Sequence, residues 1–258
     1  MTGDRSAVTA RLRAAGCVFA EDEAELILES ARTPQEIDAM VGRRVLGEPL
    51  EHVIGWAELC GLRIPVDPGV FVPRRRTEHL VREAAALARP GAVVVDLCCG
   101  SGALGLALAT AVEGVELHAA DVEVAAVRCA RRNLAGVGGS VYEGDLYEPL
   151  PPGLRGRVEV LLANVPYVPS GDIGLLPAEA RLHEPLVALD GGTDGLDVAR
   201  RVLAEAPVWL ASGGHLLFET SEQQAPAALA LVSAAGLAGR VTADDEIGAT
   251  VVVGTRIR

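Results

Sequence analysis

Aromatic residues are nearly missing from this chain, with three Phe, three Tyr and two Trp among 258 positions. That scarcity leaves too few rings for a base-stacking platform beside a core. Positive charge is also in the minority: 23 Lys plus Arg face 35 Asp plus Glu, a net charge of −12. Such a field repels phosphate backbones, so stable nucleic-acid binding is not expected, and the densest basic cluster is only Arg74-Arg75-Arg76. No apolar run approaches the ~20 residues of a membrane span. The opening residues carry no long apolar segment of the secretory type, so neither membrane nor export is expected. The cysteines (17, 60, 98, 99 and 129) form no CxxC pair and no Cys/His ligand spacing. This excludes a disulfide framework and a zinc motif; it points to reduced thiols in a cytoplasm, with no metal.

What is present is apolar bulk, half of all residues, enough for a sizeable core. Over residues 1–48 apolar positions recur at helical spacing. Thr33-Pro34 with Glu36 reads as a helix start and Gly47 as its end. Residues 49–75, broken by Gly55, Gly61 and Pro65, read as a β-hairpin linker. A helix is expected from about Thr77 to Ala88. From Gly91 strands and helices alternate, through "AVVVD", "VELHAAD", "SVYEGD", "RVEVLLANV" and "GGHLLFET". Two late strands have only a turn between them. The expectation over 76–258 is an α/β, Rossmann-like sheet, mostly parallel, with an antiparallel edge hairpin and helices on both faces.

The first strand runs into "DLCCGSGALG", which places Gly100, Gly102 and Gly105 at the strand-to-helix turn. This satisfies the dinucleotide fingerprint G-x-G-x-x-G, and Asp121 stands near the expected distance for a ribose-binding acid. A nicotinamide enzyme, or a tight turn with no ligand, fits that much. Asp96 tilts the reading, because a carboxylate expected to point into a pyrophosphate site would repel it. An ammonium and a sulfonium would suit it, and S-adenosylmethionine carries both. Asp145 ends a third strand, where it can accept from an exocyclic amine. Three acids at successive strand ends, where open α/β sheets bind ligands, read as one site. The fourth strand then ends in "LLANVPYVPS", a carboxamide followed by a stiff turn and a ring. Asn164 and the Val165 carbonyl offer two acceptors there for the N–H groups of an amide.

In this company "NVPY" resembles the motif of class I methyltransferases acting on planar or amide nitrogens. More specifically, the chain from about Leu46 onward is similar to the HemK/PrmC-type protein-(glutamine-N5) methyltransferases. "GVFVPRRRTEHLV" is similar to the F-[IV]-P-R-x-x-T-E segment of that family. "HEPLVALDGGTDGLDVARRVLAEA" and "GGHLLFETSEQQ" match later segments. The resemblance implies S-adenosylmethionine as cofactor and a protein glutamine as methyl acceptor, on a substrate such as a peptide chain release factor with its Gly-Gly-Gln loop. It implies that Cys98, Cys99, Gly100, Ser101 and Gly102 lie along the methionine part, with Asp96 among the cofactor-binding residues. Asp121 falls at the ribose, and Asp145 with Leu146 at the adenine. Asn164, Val165, Pro166 and Tyr167 hold the acceptor amide, Asn164 also meeting the cofactor. Asn164 and Tyr167 are the candidate catalytic residues. Phe71, Arg74, Thr77 and Glu78 shape the pocket, and the N-terminal helices dock the substrate.

Val165 stands where the family usually has the first proline of Asn-Pro-Pro-Tyr. Cys98-Cys99 replace the Gly and Ser/Thr common there, and the arginine run is more basic than usual. These departures fit a divergent paralogue, so an acceptor other than the Gly-Gly-Gln glutamine stays open, including another amide or amine. An adenine-N6 nucleic-acid methyltransferase shares Asn-x-Pro-Tyr, but would bring a target-reading domain and basic groove. A binding module without activity is the non-enzyme alternative.

Overall fold

The computed structural model describes residues 5–257. Helices α1 (Arg5–Ala14), α2 (Ala20–Ser30) and α3 (Pro34–Val45) pack around Leu12, Ile27 and Val41. α3 starts as its sequence requires: Thr33 Oγ1 accepts from the Glu36 N–H at 3.2 Å, and Glu36 reaches back to the Arg32 N–H. Gly47, at φ +92°, turns the chain out of it.

The next stretch departs from the extended reading. Leu50–Ile54 is a short helix, α4, which Gly55 stops in the left-handed conformation at φ +85°. The expected hairpin follows, as β1 (Trp56–Leu59) and β2 (Leu62–Pro65). α5 (Glu78–Leu87) comes after a single 3-10 turn at 75–77. His79 is buried on α5 against the Thr242 hydroxyl.

The larger unit then runs β3 (Val93–Leu97), α6 (Ala103–Ala111), β4 (Glu116–Asp121), α7 (Val124–Leu134), β5 (Ser140–Glu143) and β6 (Val158–Ala163). It continues with α8 (Ala178–His183), α9 (Asp197–Trp209), β7 (Leu210–Thr220), α10 (Ala225–Ala234), β8 (Leu237–Asp244) and β9 (Ala249–Arg256). The sheet order is β5-β4-β3-β6-β7-β9-β8, parallel from β5 to β7. β9 inserts antiparallel between β7 and β8. The mostly parallel sheet with an antiparallel edge is therefore as expected.

Every side chain of β3 is buried because both faces of a parallel sheet are covered. Val95, Leu161 and Phe218 pack on one face, and Val94, Leu162 and Leu217 on the other. Strand order reverses beside β3, which pairs with β4 on one side and β6 on the other. A crevice opens at such a reversal, beyond the carboxyl ends of the strands. The glycine turn and "NVPY" both leave the sheet there.

Candidate active site

A cleft of about 970 Å³ lies over the glycine turn. Cys98, Cys99, Gly100, Ser101, Asp121, Asp145, Leu146, Asn164, Pro166 and Phe71 all line it. The turn is shaped by main-chain contacts. Gly100 has φ +54° and nothing within 4 Å of where a Cβ would stand, so bare backbone faces the cleft. Gly105 lets α6 settle on β4, since a Cβ there would touch Leu117 and the Asp96 carboxylate at 3.2 Å. Cys98 holds φ +54° with a side chain, which explains why glycine suits this position. Burial and the nearby acids push both adjacent thiols up, so neither is poised as a nucleophile.

Asp96 differs from its expected place. It does not line the cleft but lies beneath the turn, where its Oδ2 accepts from the Gly105 N–H at 3.0 Å. Its Oδ1 is buried, with no hydrogen-bond partner among the described residues. Burial, only partly offset by that bond, pushes its carboxyl up to about 7. The α6 amide draws the carboxylate under the loop and away from open space.

Asp121 Oδ2 takes the Gly100 N–H at 2.8 Å, and its Oδ1 takes that of Glu123 at 2.9 Å. Burial raises its carboxyl, against these two bonds. Asp145 is paired with Arg201 of α9, a cation that also lines the cleft and that the motifs did not announce.

A second cavity of about 890 Å³ lies outward of the first. Phe71, Asn164, Pro166 and Ala188 line both, so the two meet at the end of β6. Among the described residues none is hydrogen-bonded to the Asn164 carboxamide. The backbone that follows is clamped: Val168 exchanges hydrogen bonds with Leu189 and Gly191. Gln224 Nε2 donates to the Tyr167 carbonyl at 2.9 Å. Gly191 and Gly195 are required here, since a Cβ on either would lie within 2.7 Å of the Pro166 or Tyr167 carbonyl oxygen. Val165 is buried in the core beside the cavity, where an apolar side chain belongs.

The outer cavity is built by ion pairs. The Tyr167 hydroxyl donates to Glu219 Oε1 at 2.7 Å and accepts from Arg76 Nε at 2.9 Å. Arg76 Nε also bonds Glu219 Oε1 at 2.8 Å, and the Thr77 hydroxyl donates to Oε2 at 2.8 Å. Burial and the Glu219 charge push the Tyr167 hydroxyl well up, so it serves as a fixed ring and not as a base. Tyr167 lines the outer cavity alone, with Arg76 5.8 Å from its ring centre. Arg74 places Nη2 2.6 Å from both oxygens of Glu184, which burial pushes up, and stacks 5.0 Å over Phe71. Arg44 of α3 bridges Glu23 and Glu179, tying the N-terminal helices to the cavity rim. Glu78, expected to shape the pocket, instead takes the Cys60 N–H at the hairpin.

Residues 62–177 match the family described as Methyltransferase small domain. The release factor glutamine methyltransferase of Geobacter sulfurreducens is 38% identical over 87% of this chain and 80% of its own. The chain belongs to the HemK/PrmC-type glutamine methyltransferase family. A 4-amino-L-phenylalanine/4-methylamino-L-phenylalanine methyltransferase of Streptomyces pristinaespiralis is 36% identical over 92% of this chain and 82% of its own. Among solved structures, a methyltransferase from Pyrococcus furiosus matches with a TM-score of 0.59 at 16% identity, covering 77% of this chain and 91% of that one. That likeness concerns the fold. Within the family frame, Arg201, Glu219, Gln224, Gly191 and Gly195 are what motif reading missed. All five fall in the later segments that resemble the family, Gly191, Gly195 and Arg201 in one and Glu219 and Gln224 in the other. Their position in sequence was visible, but their partners were not.

Proposed function

We propose that this protein transfers a methyl group from S-adenosylmethionine to the side-chain amide nitrogen of a glutamine in a protein, with a peptide chain release factor as the leading substrate. The observation that carries the reading is the meeting of two cavities at Asn164, one floored by a glycine turn and the other walled by "NVPY". The inner cleft suits the cofactor on its own features. It offers bare backbone at Gly100, apolar walls at Leu104, Ala126 and Leu146, and carboxylates at Asp121 and Asp145. The Asp96 Oδ1, without a hydrogen-bond partner among the described residues, leaves a free polar atom beneath the turn. Cys98 to Gly102 would run along the methionine part, Asp121 would accept from the ribose, and Asp145 with Leu146 would border the adenine. When bound, the cofactor supplies an electrophilic methyl on a sulfonium.

The chain's own work is on the acceptor. An amide nitrogen is a poor nucleophile because its lone pair is shared with the carbonyl. The Asn164 Oδ1 and the Val165 carbonyl each accept one N–H of the glutamine amide. They hold the nitrogen at near-attack distance, about 3–3.5 Å, and favour the charge that builds on it. The clamp from Gln224, Gly191 and Gly195 keeps these acceptors from drifting. Phe71 and the fixed Tyr167 ring close the sides. Burial and tight anchoring of this wall exclude water, which strengthens both hydrogen bonds.

Incubation with S-adenosylmethionine and release factor, followed by peptide mass spectrometry, tests the assignment. One methyl on the Gly-Gly-Gln glutamine is the expected result. Transfer to 4-amino-L-phenylalanine with none to any glutamine would overturn it in favour of an arylamine substrate.

A further inference from the structure

We propose that Arg76 is a specificity-determining residue. Its guanidinium fork takes a main-chain carbonyl of the polypeptide that carries the acceptor glutamine. This rests on the glutamine reading above and adds a contact that the family motif does not assign, because Arg75 and Arg76 fill the two open positions of its R-x-x-T-E segment.

The inner edge of this side chain is already used. Nε is held by Glu219 Oε1 at 2.8 Å and by the Tyr167 hydroxyl at 2.9 Å. Glu219 itself is buried, with 2% of its side chain exposed, and a further bond from Thr77 fixes it. These contacts set the plane of the guanidinium. Its outer edge is free: among the described residues none accepts from Nη1 or Nη2. The Arg76 side chain is 40% exposed and lines the outer cavity together with Asn164. Four N–H donors in a rigid plane thus stand beside the methyl-acceptor position with no protein acceptor.

Charge decides which oxygen suits them. Glu219 cancels the Arg76 cation at contact distance, so the fork offers hydrogen bonds with little net field. Around it Glu184 is matched by Arg74, Glu179 shares Arg44 with Glu23, and Glu51 has no partner among the described residues. A free carboxylate entering here meets carboxylates that outnumber the cations. A neutral peptide carbonyl carries no such penalty and accepts the same two hydrogen bonds. The fork therefore favours a glutamine within a chain over a free amino acid.

Arg76→Lys tests this, because it keeps a cation against Glu219 and removes the fork. Two acceptors serve as probes: a synthetic Gly-Gly-Gln peptide, and propionamide, which has the amide but no main chain. KM for the peptide should rise about tenfold with kcat within about twofold, while kcat/KM for propionamide and the Kd for S-adenosylmethionine hold within about twofold. Arg76→Gln, which also leaves Glu219 unpaired, should raise the peptide KM at least as far, so the KM result does not hang on one variant. An unchanged peptide KM in both variants would overturn the assignment. So would an equal loss on propionamide, which would mean Arg76 acts through Tyr167 alone. Unaltered protein that binds S-adenosylmethionine yet methylates neither acceptor would overturn the glutamine reading itself, and the Arg76 contact with it.

Discussion

The inner cleft is held mainly by main-chain donors at its turn, with Asp145–Arg201 as a longer side-chain pair, whereas the outer cavity is held mainly by side-chain pairs. In the cleft, Gly100 and Glu123 amides bind Asp121, and the Gly105 amide binds Asp96, all across 21 residues or fewer. In the outer cavity, Arg76 reaches Tyr167 across 91 residues, Arg74 reaches Glu184 across 110, and Thr77 reaches Glu219 across 142. Main-chain donors at a turn need only the right local conformation, whatever the neighbouring side chains are. Side-chain pairs need several distant segments brought together in one arrangement. A cofactor common to many enzymes can be met by the first kind of surface. The second kind can change with the acceptor while the fold is kept.

The contrast can be broken or sharpened by substitution. Glu219→Ala should destabilise the protein by about 2–3 kcal/mol in denaturant unfolding. That is below the ~3–5 kcal/mol for a fully buried pair, because the orphaned Arg76 can turn to water. A loss under about 1 kcal/mol would mean the outer cavity does not depend on its ion pairs.

Asp96→Asn should come next, through pH. The folded protein holds the Asp96 proton up to about 7, against 3.8 for the free side chain. As pH rises between those values the unfolded chain releases the proton first, so this group's contribution to stability falls and then levels above about 7. Glu184 is shifted the same way but is present in both proteins and cancels in the difference, whereas Asp121, whose charge helps raise the Asp96 carboxyl, cancels only in part. The variant, free of cofactor, should gain on the parent by a few kcal/mol from about pH 4 to about pH 7. Parallel stability curves would contradict the burial of that charge.

Cys98→Gly should have the smallest effect. Relief of a left-handed side chain, about 1–2 kcal/mol, is largely offset by the entropy of a new glycine, about 0.5–1 kcal/mol. A net gain of about 0.5 kcal/mol is expected in thermal unfolding, and a loss would show that the thiol packs better than its backbone suggests.

The same contrast explains what could be read before the fold was known. The sheet was legible because its central strands carry apolar runs, such as Val93–Val95 and Val160–Ala163, between glycine and proline signals. Cys98 to Gly102, Asp121, Asp145 and Asn164 fall together because each directly ends a strand or forms the turn after it. Asp96 was harder, since spacing places it at the strand end but not beneath the turn. The α4 helix was missed because five residues are too few for a period to show. Glu219, Arg201 and Gln224 lie in segments that resemble the family, but their roles come from partners 52 to 143 residues away. Arg76 was visible only as part of a basic run.

The central claim is that Asn164 holds the acceptor nitrogen at the junction of two cavities without being needed to seat the cofactor. Asn164→Ala measures it directly, by calorimetric S-adenosylmethionine affinity beside turnover on a Gly-Gly-Gln peptide. Cofactor affinity should hold within a few-fold while turnover falls about 10²–10³-fold, as for loss of a donor or acceptor made to the transition state. Equal loss of both would place Asn164 with the cofactor and leave the acceptor unassigned.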